Sequence, residues 1–87
     1  MPRYFFNVED GASYPDKEGL ELVDLGAARK VAIEMASELL DGGSDAFWDA
    51  KHWQLEVTDA LGLIQFVLTF SAANAPALNI KGPLSRT

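Results

Sequence analysis

From Arg3 to Glu9 apolar and polar positions alternate, with Tyr4, Phe6 and Val8 on one side and Arg3, Phe5, Asn7 and Glu9 on the other. Aromatic and β-branched residues suit a pleated, half-buried surface, so the spacing predicts a strand that turns Tyr4, Phe6 and Val8 toward the core. Phe5 is left on the opposite face, either against a cross-strand neighbour or as part of a partner-binding surface. Residues 10–16 are rich in turn formers, and residues 19–23 then read as a second short strand with Leu20 and Leu22 inward.

The period next changes to that of a helix over residues 25–40. On a wheel of 100° per residue Leu25, Ala28, Val31, Ala32, Met35, Ala36, Leu39 and Leu40 gather on one broad side, opposite Lys30, Glu34, Ser37, Glu38 and Asp41. Ile33 lies at the rim of that arc and Arg29 within it. Asp24 is placed to cap the first turn, because its carboxylate accepts an otherwise unpaired N–H and favours the positive end of the helix dipole. Asp41-Gly42-Gly43 supplies the stop, since glycine takes the left-handed conformation that closes helices.

Residues 44–52 connect the halves and carry Phe47 and Trp48. Ser44 is a candidate cap for a further helical turn, and the aromatic pair either closes the end of the core or stands out as a contact anchor. Trp53, Leu55 and Val57 then alternate with Gln54, Glu56 and Thr58, and Asp59-Ala60-Leu61-Gly62 turns the chain into residues 63–70. That last strand is apolar on both faces, with Ile64, Phe66, Leu68 and Phe70 against Leu63 and Val67, which predicts a central place in the sheet.

The pattern predicts an α+β fold of β-β-α-β-β order: a two-layer domain over residues 1–70, with a four-stranded sheet and one long helix on one face. The spatial order 2-1-4-3 follows from putting the doubly apolar strands in the middle, with 1-2-3-4 as the alternative. Residues 71–87 lack periodicity and are expected to form a flexible C-terminal tail. The sheet face away from the helix carries Phe5, Leu63 and Val67, and no second helix is available to cover it. A homodimer or a protein partner is therefore expected there, with Phe47 and Trp48 as further candidate contacts.

Composition narrows the chemistry. The chain has 87 residues, 48% hydrophobic and 23% charged, and no cysteine, which excludes disulfides, thiolate catalysis and cysteine-ligated metals. A net charge of −6 with scattered basic residues argues against nucleic acid and anionic membrane surfaces as partners. No apolar run approaches the length of a membrane span and no leader pattern is present, so the expected location is cytoplasmic.

The lone histidine, His52, has only Asp45 and Asp49 as candidate co-ligands, and Asp10, Asp16 and Glu18 read as a solvated acidic turn without the ligand spacing of a calcium loop. None of the serines sits in a nucleophile turn, and Gly42-Gly43 follows a helix where a phosphate cradle would open one. No metal, cofactor or catalytic residue is expected.

Three runs, MPRYFFNVEDG, PDKEGLELVDLGAARKVAIEMASELL and LEVTDALG, resemble a family of short uncharacterised bacterial proteins. Those proteins begin MPRYFFH and continue with an acidic turn, an E-G-x-E-L-x-D-L-x-x-A-R helix entry and an E-V-x-D-x-x-G hairpin. Asn7 stands where they usually have histidine. The resemblance covers about residues 1–70 and implies no activity. Glu9-Asp10-Gly11, Pro15-Asp16 and the helix from Ala27 are also similar to the N-terminal domain of HicB-type antitoxins, which implies a neutraliser of a basic partner. The reading is a non-enzymatic interaction or regulatory domain that self-associates. Its alternative is a small-ligand or metal-binding protein using the acidic loop and the aromatics of residues 44–53.

Overall fold

The computed structural model describes residues 1–73. The expected tail from residue 74 onward lies outside the described residues. The element order is β1 (Arg3–Glu9), β2 (Ser13–Tyr14), β3 (Leu20–Glu21), α1 (Leu25–Gly42), α2 (Ser44–Ala50), β4 (His52–Thr58) and β5 (Ile64–Ser71). This is an α+β domain, an antiparallel sheet in the order β2-β1-β4-β5 with β3 also pairing to β1. The four expected strands become five: the stretch read as a turn contributes β2, and the strand expected over residues 19–23 is cut to β3.

The gap between β2 and β3 has a local cause. β2 pairs Val8 with Tyr14, and β3 pairs Tyr4 with Leu20. Between them Pro15 has no N–H to give, and the chain bows away over residues 15–19. The Asp16 carboxylate takes over the missing pairing: it accepts from the Phe6 N–H at 3.1 Å and from the Glu18 and Gly19 N–H groups at 3.0 and 3.1 Å. The acidic loop is thus an organised edge of the sheet, and Asp16 is its centre. Leu20, expected inward, is 44% exposed, since β3 is only two residues long and ends the ladder.

Gly19 closes this loop at φ +71°, and a Cβ there would sit 2.9 Å from the Tyr4 carbonyl oxygen and 3.0 Å from the Phe5 ring. Gly19→Ala is expected to cost about 1–2 kcal/mol, read as a lower melting temperature with the fold retained.

The strand order differs from both expected orders. β4 lies beside β1, with Phe6 opposite Val57 and Val8 opposite Leu55, and β5 is the outer strand. Two apolar faces mark a buried interior strand, and they mark an unprotected edge equally well. A bulge at Val57/Thr58 places Ile64 opposite Thr58 and Phe66 opposite Val57. Ile64 therefore shares the face of Thr58 and Phe5, away from the expected row of Phe66, Leu68 and Phe70.

Helix α1 starts as its N-cap predicts but does not stop as expected: it runs on to Gly42, and Gly43 closes it at φ −119°, outside the left-handed region. The Asp24 carboxylate accepts the Ala27 N–H at 2.9 Å, and the Gly43 N–H reaches the Leu39 carbonyl. It lays the small side chains of Ala28, Ala32 and Ala36 on the sheet, where they are all but fully buried against Tyr4, Phe6, Trp53, Leu55 and Val57. Larger neighbours, Val31, Met35 and Leu40, pack at the flanks half-buried. Ser44 does not cap α2 but opens it, and α2 closes on Lys51 in the left-handed conformation. No helix among the described residues is long and apolar enough to cross a membrane.

Candidate functional site

On the face turned from α1 the sheet register decides which side chains meet. Phe5 stands opposite Thr58, which stands opposite Ile64; Asn7 stands opposite Glu56, which stands opposite Val67. Phe5 is half-buried, and the bowed loop at Gly19 covers part of its ring. Val67 is 40% exposed on β5, and Leu63 lies exposed in the hairpin connection just before it. Ile64, also exposed, joins this apolar group, and only the bulge reveals it.

Asn7 ties the same face together: its Oδ1 accepts the Asp16 N–H at 2.8 Å and its Nδ2 donates to the Glu56 carbonyl at 3.4 Å. Burial alone raises the Asp16 pKa, but the N–H groups of Gly19, Phe6 and Glu18 and the nearby Arg3 guanidinium outweigh it and hold the carboxyl below its ordinary value. Arg3 also donates to the Glu18 carbonyl at 2.6 Å and pairs with Glu21 at 3.6 Å. Among the described residues no three His, Asp or Glu side chains converge as metal ligands would.

Phe47 and Trp48 part company. Their rings meet edge to face at 5.7 Å, yet Phe47 packs against the core while Trp48 is 56% exposed. Phe47 helps to line a cleft of about 500 Å³ between the end of α1, α2 and the β1–β2 turn. Val8, Trp53, Leu39 and Tyr14 supply most of its apolar wall, and Asp10 and Glu38 bring the charges. Leu39 points within about 20° of Ala28 on an ideal wheel. It is nevertheless 45% exposed, because the cleft and not the sheet lies in front of it. The wheel could show its direction but not where the cover ends.

A family model described as a domain of unknown function (DUF6894) matches residues 3–71, from the start of β1 to the end of β5. The chain belongs to DUF6894. No curated protein and no solved structure matches it. The resemblance drawn from the three sequence runs to a family without assigned activity stands, and the likeness to HicB-type antitoxins finds no support in the comparisons.

In this DUF6894 domain the position at which the resembled proteins carry histidine holds a structural amide. A neutral imidazole also offers one acceptor and one donor, the same pair that Asn7 presents to Asp16 and Glu56.

Proposed function

We propose that this DUF6894 chain is a non-enzymatic, cytoplasmic interaction domain that self-associates by adding strand to strand along β5. One observation carries the reading: β5 is an eight-residue outer strand, IQFVLTFS, with no charge and no proline along it. An exposed strand of that length presents a row of N–H and C=O groups open to pairing, and soluble proteins usually blunt such edges with lysine, proline or short length. Among the described residues only β4 pairs with β5.

A second copy suits this edge better than an unlike chain. Antiparallel pairing of identical strands is self-complementary under a two-fold axis, and a strand without charge brings no like charges together when it meets its own copy. The net charge of −6 opposes association of two copies elsewhere on the surface, and the neutral edge is where that repulsion is weakest. Ile64 and Val67 then continue across the axis as an apolar strip on the face turned from α1, with Glu56 behind Val67.

Sedimentation across a concentration series provides the test. The wild type is expected to run as a dimer and Val67→Lys as a folded monomer, since the ammonium would have to be desolvated in the strip. A wild type that stays monomeric into the high micromolar range, or a Val67→Lys variant that still dimerises, removes the proposal.

A further inference from the structure

The geometry points to the cleft beside α2 as a binding site for a small organic cation with an apolar body. We infer this independently of the β5 reading, because β5 contributes no residue to the cleft.

Size and lining come first. About 500 Å³ falls within the range of small-molecule sites, and the walls are of the usual kind, mostly aromatic and aliphatic with a few polar groups. Trp53, 4% exposed, and half-buried Phe47 and Val8 make a fixed floor. Leu39 and Tyr14 stand at the rim, 45% and 57% exposed, as apolar surface available to a guest.

Charge selects the guest. The carboxyl groups in the lining, Asp10 and Glu38, bring negative charge, and among the described residues no basic one lines the cleft. The cleft also sits at the C-terminal end of α1, where the unpaired carbonyls of the last turn concentrate partial negative charge. Helices usually place lysine or arginine there; α1 has no basic residue in its last turn and carries Glu38 and Asp41 instead. Glu34 and Glu38, four residues apart, add a further like-charge repulsion on the same helix. α2 begins at once, but Asp45 in its first turn already answers its own positive end. The unliganded domain thus accumulates uncompensated negative charge around an aromatic-walled cleft. An ammonium group relieves that repulsion, and aromatic faces attract such a cation as well as its apolar body.

Three probes with one body separate charge from hydrophobic binding: 3-phenylpropylammonium, 3-phenylpropanol and 3-phenylpropionate, each titrated into the labelled full chain and followed by amide and indole shifts. The ammonium is expected to perturb Leu39, Gly42, Gly43, Phe47 and the Trp53 indole, to bind about tenfold or more tighter than the alcohol, and to leave the carboxylate without measurable binding. Glu38→Gln, at an exposed position, is expected to erase most of the ammonium's advantage while the alcohol binds as before. Val67→Lys is expected to bind the ammonium like the wild type, which keeps failure of the dimer distinct from failure of the site. Equal binding of ammonium and alcohol, shifts that map outside the cleft, or no binding of any probe at millimolar concentration overturns the inference. So does a lysine-rich peptide that occupies the cleft when the small ammonium does not, since that outcome assigns it to a protein partner.

Discussion

Phe6→Ala is expected to cost about 3–5 kcal/mol in urea unfolding, whereas Leu39→Ala is expected to cost about 1 kcal/mol. Phe6 is 4% exposed, pressed between the alanine stripe of α1 and Val57 of β4, and its removal leaves a void that neither rigid layer can fill. An 87-residue domain has a total stability of only about 4–13 kcal/mol, so the Phe6 variant stands close to the unfolding threshold at ambient temperature. The helical wheel alone puts Leu39 in the core beside Ala28 and would give the two variants comparable costs. Equal losses in the two denaturation curves would show that the cleft in front of Leu39 is closed in solution.

Asp16→Ala is expected to cost about 2–4 kcal/mol, an effect unusual for a loop carboxylate. Three backbone N–H groups lose a charged acceptor at once; such bonds contribute about 1.5–3 kcal/mol each when dry, less at this half-exposed position. The effect depends on pH in a definite direction. The folded pKa lies below the ordinary value of 3.8, so the stabilisation is complete above that value and fades as pH falls through the lower folded one. Melting temperatures of wild type and Asp16→Ala, compared between neutral and acid pH, are expected to differ most near neutrality and to converge in acid. A difference that stays constant down to strongly acid pH would mean that the carboxylate charge plays no part.

Much of this was legible in the pattern of side chains. Period-two alternation marked β1 and β4, an apolar run after a tight turn marked β5, the 3.6-residue period marked α1, and Asp24 announced its own cap, because each of these signals depends on near neighbours in the chain. The strand order was not legible. An interior strand and a bare edge both show apolar residues on two faces, and the difference lies in what stands beside β5, which local sequence does not encode. Asp16 was hidden for another reason. Asp-rich turns are usually solvated, and only Pro15 hinted that the Phe6 N–H would need a side chain in place of a strand partner. Of the candidate contact residues, Val67 faces away from α1 as alternation requires, while Ile64 joined it only through a one-residue bulge. The cleft gathers residues from position 8 to position 53, and no periodicity connects them.

The central place of β1 also sets the tempo of folding. The strand is made first, yet its inner partner comes late: Asn7 pairs with Glu56, 49 positions further on. At synthesis rates of roughly 5–20 residues per second, Tyr4, Phe5 and Phe6 wait several seconds before β4 can reach them. Until then the nascent chain has only two short strand pairings to shelter its aromatics. Folding therefore waits for β4, and it is at the slower end for a domain of this size because its decisive contacts close a long loop. During that interval the N-terminal aromatics are the segment most in need of a chaperone.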